Sequence, residues 1–226
     1  MSIYQVAIDG PVASGKGTVA KMLARKLGLL CLDTGALYRG ITIHFIDNEI
    51  DYHDPISYNR ALGGIDLTVK CVEGATFVYL NGEDVTARLR VNEVSVMVPH
   101  IAKLPEVRAK ALTIQQQVSG NSSLVCEGRD ITSVVFPNAS FKFYLTASVR
   151  ERALRRFNEL ESKGETVPLD QLMQQISDRD NADMTRTQSP LVYVPSAIKI
   201  DASKIDAYTV VKRMEKIITK SLIEVR

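Results

Sequence analysis

The sequence is poor in residues that form covalent frameworks or hold metal ions. Its 226 residues include no tryptophan, three histidines and three cysteines. Cys31, Cys71 and Cys126 are far apart and odd in number, so no disulfide framework and no metal-ligand spacing is present. Two of them lie in apolar runs, where cysteine usually behaves as a small buried hydrophobe. We therefore expect buried, reduced cysteines and no metal-binding side chains.

The chain also lacks an excess of one charge and any long apolar run. It has 28 Lys and Arg against 26 Asp and Glu, which leaves a net charge of +2. This balance gives no reason to expect nucleic-acid or membrane binding. No run approaches the length of a membrane span, and the N-terminus lacks the pattern of a signal peptide. We expect a cytoplasmic monomer whose hydrophobic fraction, 45%, can fill one large α/β core.

One glycine-rich stretch, residues 9–18 (DGPVASGKGT), directly follows an apolar run. Gly10, Gly15 and Lys16 have the G-x-x-x-x-G-K spacing of a phosphate-binding loop, and Thr18 comes one place later than the usual Ser or Thr. The pattern predicts a strand, then the loop, then a helix whose positive end faces an anion. A glycine-rich turn with a chance lysine is the alternative. The apolar strand before it and the amphipathic helix after it favour phosphate binding.

Short apolar runs recur along the chain, and helical stretches separate most of them. The runs are Ile3–Ile8, Leu29–Leu32, Leu124–Cys126, Phe141–Leu145 and Ala197–Ile200. The alternation predicts a parallel sheet with helices on both faces. Asp66–Val72 and Ala75–Leu80, separated by Glu73-Gly74, are instead typical of a small antiparallel unit.

The predicted organisation has three parts. The core comprises residues 1–49, 111–149 and 189–226. An inserted lobe spans 50–110, and an arginine-rich segment that we call the lid spans 150–188.

Two polar motifs follow predicted strands and should meet at the carboxyl edge of the sheet, where open α/β sheets bind ligands. In Asp33-Thr34-Gly35-Ala36-Leu37-Tyr38-Arg39, Thr34 is a candidate helix cap and Arg39 a candidate phosphate clamp. In Glu127-Gly128-Arg129-Asp130, Arg129 offers a planar fork for phosphate and Asp130 an acceptor. An ordinary cap and surface ion pairs are the alternatives.

The lid is rich in arginine. VRERALRR supplies Arg150, Arg152, Arg155 and Arg156, and SDRDNADMTR supplies Arg179, Asp183 and Arg186 at offsets of four and three. Such runs are usually solvated helix faces. Many unpaired arginines would repel one another without anions, and two phosphate-bearing ligands would supply these anions. The pattern therefore favours phosphoryl transfer, which needs alignment and charge neutralisation more than covalent chemistry.

Seven motifs along the chain together resemble the bacterial cytidylate kinases, which are P-loop nucleoside monophosphate kinases. They are IDGPVASGKGT, LDTGALYRGIT, NGEDVTARLR, CEGRDITSVVFPNA, ASVRERALRR, DRDNADMTR and SPLVY. The resemblance covers essentially the whole chain. It implies a three-layer α/β/α P-loop core with a parallel sheet, a small antiparallel β-containing lobe that binds the nucleoside monophosphate, and a helical lid. It also implies transfer of the ATP γ-phosphoryl group to CMP or dCMP, with Mg²⁺.

The resemblance implies site residues as well. Lys16, Arg129 and Arg186 would be catalytic. The residues implied for ATP are Gly10, Pro11, Val12, Ala13, Ser14, Gly15, Lys16, Gly17, Thr18, Arg152 and Arg156. Those implied for the acceptor are Thr34, Arg39, Arg108, Arg129, Asp130, Arg179, Asp183 and Arg186, with Arg108 and Asp130 at the cytosine and Arg179 and Asp183 at the ribose.

Some positions depart from that pattern, and two other functions stay open. The family usually has Asp where this chain has Glu127, and the resemblance aligns Pro99 with a Ser that contacts the base in the family. One alternative is a P-loop kinase for UMP or another small acceptor. The other is a GTPase-type switch, although the sequence has no N-K-x-D stretch and such a switch would leave the lid arginines unexplained.

Overall fold

The computed structural model describes residues 3–72, 75–120, 122–162 and 164–224. The strands are β1 (Gln5–Asp9), β2 (Leu30–Asp33), β3 (Leu67–Val72), β4 (Ala75–Leu80), β5 (Glu83–Asp84), β6 (Leu124–Gly128), β7 (Phe141–Thr146) and β8 (Ile198–Asp201). The helices are α1 (Lys16–Leu27), α2 (Thr34–Asp47), α3 (Pro55–Gly64), α4 (Asn92–Ile101), α5 (Pro105–Ser119), α6 (Val149–Glu161), α7 (Leu169–Thr185) and α8 (Ala207–Glu224). A 3-10 turn spans Thr86–Arg90 and a π turn spans Ile131–Val135.

The main sheet consists of the five strands that the apolar runs predicted. Their order is β2-β6-β1-β7-β8, and every neighbouring pair is parallel. All five carboxyl ends therefore lie at one edge, where the loops after β1, β2, β6 and β7 meet. The α/β prediction is confirmed.

Helices cover both faces of this sheet. Successive residues of a strand point to opposite faces, so each face presents its own apolar side chains for a helix to pack on. On β1, Val6 and Ile8 pack in a cluster with residues of α1 and α8. Ala7, between them, packs in a second cluster with residues of α2 and α5. Since β1, β2 and β6 are buried on both sides, the core has three layers.

The inserted lobe carries a separate antiparallel sheet, β3-β4-β5, as predicted. The predicted Glu73-Gly74 turn lies outside the described residues. Thr76 ties this sheet to the core, because its hydroxyl donates to the carbonyl of Cys31 at 2.8 Å and accepts from the Asp33 N–H at 3.0 Å. The lobe is therefore anchored at the edge strand that leads into the Asp33 motif.

The two lid helices pack mainly on each other. Ala153 and Leu160 of α6 form a small apolar cluster with Leu172 and Ile176 of α7. The side chain of Ser148 caps α6 by accepting from the Glu151 N–H at 3.2 Å. The lid thus has a core of its own, apart from the two clusters on the main sheet.

The predicted cap of α2 is wrong by one residue. Asp33, not Thr34, is the N-cap, and its carboxylate accepts from the Ala36 N–H at 3.1 Å. Thr34 is the first helical residue, and its hydroxyl donates to the carbonyl of Glu127 at 2.9 Å. The hydroxyl therefore joins the ends of two strands.

Candidate active site

The glycine-rich loop between β1 and α1 runs unusually close to the backbone of β7. A Cβ at Gly10 would lie 1.9 Å from the carbonyl oxygen of Leu145, so only glycine fits there. Gly15 has φ +92° and is the N-cap of α1, which begins at Lys16 as predicted. The loop therefore brings backbone N–H groups and the positive end of a helix to one place, which is the geometry that binds phosphate.

Lys16 lies buried under this loop. Its ammonium group donates to the carbonyl of Pro11 at 2.8 Å and approaches the hydroxyl of Ser14 at 3.4 Å. Burial, with a contribution from the charge of Arg129, lowers the pKa of Lys16, although Glu127 opposes the shift. A phosphate at the loop would restore the preference for the charged form.

Two carboxylates meet beside the loop. Glu127 is buried near the end of β6, and its Oε1 would lie 3.4 Å from a Cβ at Gly17. Burial and the neighbouring charge of Asp33 raise the pKa of Glu127. The strand ends thus place an acidic pair next to the phosphate loop.

The segment after β6 is fixed by a third carboxylate, Asp9. It accepts from the N–H groups of Ile131 and Thr132 at 2.9 and 2.7 Å, and from the Thr132 hydroxyl at 2.6 Å. These bonds join the end of β1 to the π turn and so hold Arg129 and Asp130, which precede it, at the sheet edge. The sequence analysis did not identify Asp9 as a site-forming residue.

The carboxylate of Asp183 lies close to three of the predicted arginines. Its carboxylate accepts from Nε of Arg129 at 2.8 Å and lies 3.4 Å from Nε of Arg179 and 3.6 Å from NH1 of Arg186. Although burial opposes ionisation, the charges of Arg129 and Arg179 hold the pKa of Asp183 below its usual range. One carboxylate among three cations leaves a net positive charge at this point of the site.

The expectation of unpaired lid arginines is wrong. Besides the group around Asp183, Arg152 pairs with Asp180 at 2.6 Å and Arg156 with Glu159 at 2.8 Å. Carboxylates supplied by the lid itself therefore offset part of the repulsion. The side chain of Arg152, predicted to contact ATP, is 4% exposed here, and its guanidinium binds protein acceptors.

Arg108 and Asp130 form a buried ion pair beside a small cavity. The cavity measures about 150 Å³ and is also lined by Tyr38, Gln115 and Gln188. Nε of Arg108 is buried and has no hydrogen-bond partner among the described residues. A ligand that offers an acceptor would satisfy it.

Two predicted positions lie away from this cavity. Arg39 donates through NH1 to the carbonyl of Leu89 and to the hydroxyl of Ser95, both at 2.9 Å, so it connects α2 to the inserted lobe. Pro99 lies inside α4 and is not among the residues that line the cavity.

A larger cavity, of about 450 Å³, adjoins the phosphate loop. Gly15 and Thr18 line it together with Arg155 and the segment 202–207, which connects β8 to α8. Arg155 donates to the carbonyls of Ser14 and Ala202 at 3.2 and 2.6 Å. The sequence analysis did not assign Arg155 or 202–207 to the site. The position of 202–207 just after a parallel strand was the available signal.

The described part of the chain holds no group of three or more His, Cys, Asp or Glu side chains that could bind a metal ion by themselves. Within the same residues, no helix has the length and apolar character needed to cross a membrane.

A phosphate loop with a buried lysine, whose charge interacts with a nearby group of arginines, is the arrangement of a P-loop phosphotransferase. Among protein-family models, the one described as cytidylate kinase matches residues 6–220. The chain is 39% identical over 220 residues to a cytidylate kinase of Caldicellulosiruptor bescii, covering 97% of both chains. It is 40% identical over 216 residues to that of Lactiplantibacillus plantarum, covering 96% of this chain and 95% of the relative. The chain therefore belongs to the cytidylate kinase family, and it is an ATP-dependent kinase.

The fold also has a likeness among solved structures. An uncharacterised protein from Eubacterium ventriosum aligns with a TM-score of 0.53 at 13% identity, covering 96% of this chain and 98% of that chain. At this identity, the likeness concerns the fold alone.

Proposed function

We propose that this chain transfers the γ-phosphoryl group of ATP to CMP or dCMP, forming ADP and CDP or dCDP. The observation that carries the proposal is that the interacting charges of Lys16 and Arg129 come from positions directly next to residues of two cavities of different chemistry, Gly15 in one and Asp130 in the other. One cavity adjoins the phosphate loop, and the other contains an acidic and a basic group suited to a base. Family membership supports the same reaction.

On the donor side, backbone N–H groups of the phosphate loop, residues 10–18, cradle the ATP phosphates, and the 450 Å³ cavity takes the nucleoside. Lys16 reaches the outer phosphates as a point charge. Arg156 is exposed on α6 and is the proposed lid arginine that reaches the donor when it leaves Glu159. Arg155, which already contacts the loop, joins this set.

Mg²⁺ fits the residues present at the loop. Proteins commonly bind it through one or two carboxylates together with substrate phosphates, rather than in a cage of side chains. Glu127 and Asp33 supply two such carboxylates next to Gly17, and the exposed Thr18 supplies a hydroxyl. When bound, the ion would neutralise charge on the donor phosphates. The two carboxylates would orient its water ligands.

On the acceptor side, Arg129, Arg186 and Arg39 bind the phosphate of the monophosphate, with Thr34 at the strand edge. Asp183 and Arg179 lie next to this group and contact the ribose. The unpartnered Nε of Arg108 donates to an acceptor on the cytosine, and Asp130 accepts from its exocyclic amine. Transfer then requires the two ligands to be aligned while closure of the lid excludes water.

A coupled assay of ADP release tests the proposal, with ATP and each nucleoside monophosphate supplied in turn. We expect turnover with CMP and dCMP, and much less with UMP, AMP or GMP. Turnover with UMP alone would identify a different pyrimidine kinase. Slow hydrolysis that no acceptor accelerates would favour the switch-type alternative.

We also propose that the enzyme acts as a monomer in the cytoplasm. Cys31, Cys71 and Cys126 are all free thiols, which is typical of a reducing compartment. Light scattering at micromolar concentration should give the mass of one chain, 25.0 kDa. A stable dimer mass would contradict the monomer.

A further inference from the structure

A buried ion pair joins the two lid helices directly above the phosphate loop. NH2 of Arg152, on α6, lies 2.6 Å from Oδ2 of Asp180, on α7. Their side chains are 4% and 10% exposed. The reaction outlined above gives neither side chain a contact with a ligand, so the pair needs another explanation.

Both side chains bind the loop backbone at the same residue, Val12. The Val12 N–H donates to Oδ1 of Asp180 at 3.3 Å, and the Val12 carbonyl accepts from NH1 of Arg152 at 3.0 Å. Nε of Arg152 donates to the carbonyl of Ala147 at 2.9 Å, which ties the pair to the end of β7. The pair therefore fixes Val12 against both lid helices and the sheet.

The next residue of the loop is conformationally strained. Ala13 has φ +56°, in the left-handed region that residues with a Cβ avoid. Such a conformation persists only where the surrounding structure holds it. Val12 and Ala13 also pack on the lid's apolar cluster, which includes Ala153 and Ile176. The lid thus supplies the contacts that hold the strained segment.

We propose that Arg152 and Asp180 form a clamp that keeps the phosphate loop in its strained, ATP-binding conformation. They are positioning residues rather than ATP ligands. Through them, docking of the lid on the core stabilises the ATP-binding conformation of the loop. This role rests on the proposed binding of ATP phosphates by the loop. Its first consequence, the rigidity of residues 10–16, exists without any nucleotide.

The first test compares Asp180→Asn and Arg152→Lys with wild type. Calorimetry gives the Kd for ATP, steady-state kinetics gives KM for both substrates, and hydrogen exchange gives the protection of residues 10–16 without ligand. We expect ATP affinity to fall about 10- to 100-fold, because ATP binding must then bring the loop into its strained conformation without the help of the lid. KM for CMP should change less than the Kd for ATP, and residues 10–16 should exchange faster. Asp178→Asn, an exposed change on the same helix, is the matched control and should behave as wild type.

The second test asks whether glycine at the strained position replaces the clamp. Glycine adopts positive φ without a Cβ penalty, so Ala13→Gly in the Asp180→Asn background should recover part of the lost ATP affinity. No recovery would show that the pair only holds the lid together, which would overturn the clamp. Wild-type ATP affinity and exchange in both single variants would overturn it as well. Arg152→Lys, which retains the charge, decides the question if Asp180→Asn does not fold. If wild type binds no ATP but the exchange difference appears, the proposed function fails and with it the role in ATP binding, while the rigidity that the pair gives to residues 10–16 stands.

Discussion

At the scale of single residues, Lys16 is the side chain whose loss should affect turnover most. We expect Lys16→Met to lower kcat by about 10²- to 10³-fold, because removing one preorganised donor typically costs about 3–4 kcal/mol of barrier. The coupled ADP assay measures this, and circular dichroism checks the fold. Lys21→Met, on the same helix, is the control and should retain activity. Near-normal turnover by folded Lys16→Met would contradict the loop assignment.

Asp130 is the residue that should distinguish cytosine from uracil. Its carboxylate can accept from the amine of CMP but faces a carbonyl oxygen in UMP, and one good base contact discriminates by about 1–3 kcal/mol. Asp130→Asn should therefore lower the CMP/UMP ratio of kcat/KM, since an amide can present either a donor or an acceptor. Asp84→Asn, exposed in the small sheet, should leave the ratio as it is. An unchanged ratio in Asp130→Asn would show that this cavity does not recognise cytosine.

Glu127 should make the stability of the free enzyme depend on pH. Burial and Asp33 raise its pKa from the ordinary 4.5, so the folded state binds this proton more strongly than the unfolded state. The stabilisation is complete below pH 4.5 and is lost as pH rises, by about 1.4 kcal/mol per unit of pKa shift.

Urea unfolding at pH 4.5 and 7 measures this effect. The free energy of unfolding of Glu127→Gln relative to wild type should rise between the two values, because the amide does not titrate. Glu165→Gln, in an exposed loop, should give a constant difference. A pH-independent difference for Glu127→Gln would show that folding does not shift the pKa of Glu127.

At the scale of elements, the contact between α2 and the small sheet depends on a single glycine. A Cβ at Gly40 would lie 2.7 Å from Cγ1 of Val78 and 3.0 Å from Cδ1 of Leu67. Gly40→Ala should therefore lower the free energy of unfolding by about 1–3 kcal/mol, as overpacked cores do. Gly63→Ala, in α3 with no atom within 4 Å of the new Cβ, should instead be neutral or stabilising. Equal effects of the two changes in urea unfolding would contradict the close approach.

At the scale of the whole molecule, the lid should become more protected when both nucleotides bind. Asp183 offsets only part of the charge of Arg129, Arg179 and Arg186. Two phosphate-bearing ligands supply the remaining negative charge and hold the lid to the core. Hydrogen exchange should slow across residues 150–188 with a bisubstrate analogue, while residues 211–224 change little. Equal exchange of the lid with and without the analogue would contradict closure.

Several features of the site were predictable because they depend on local pattern. The phosphate loop follows from glycine spacing between a strand and a helix. The meeting of the Asp33 and Arg129 motifs follows from the rule that parallel strands end at one edge. The spacing of DRDNADMTR places Arg179 and Arg186 near Asp183 on one helix, but it could not show that Arg129 joins them, because Arg129 lies 54 positions earlier in the chain.

The sequence by itself determined the class of fold, the phosphate loop and the residue types available for two phosphate-bearing ligands. Each of these depends on periodicity or on spacing within a few residues, which local chemistry sets. The tertiary structure decided which partner each charged side chain takes. The sequence identifies Arg152 only as one of several lid arginines. In the structure its NH2 lies 2.6 Å from Oδ2 of Asp180, 28 positions later, and its NH1 donates to the carbonyl of Val12, 140 positions earlier. The chain must pack before such groups meet, and burial then makes pairing obligatory, because an unpaired charge is costly inside a protein.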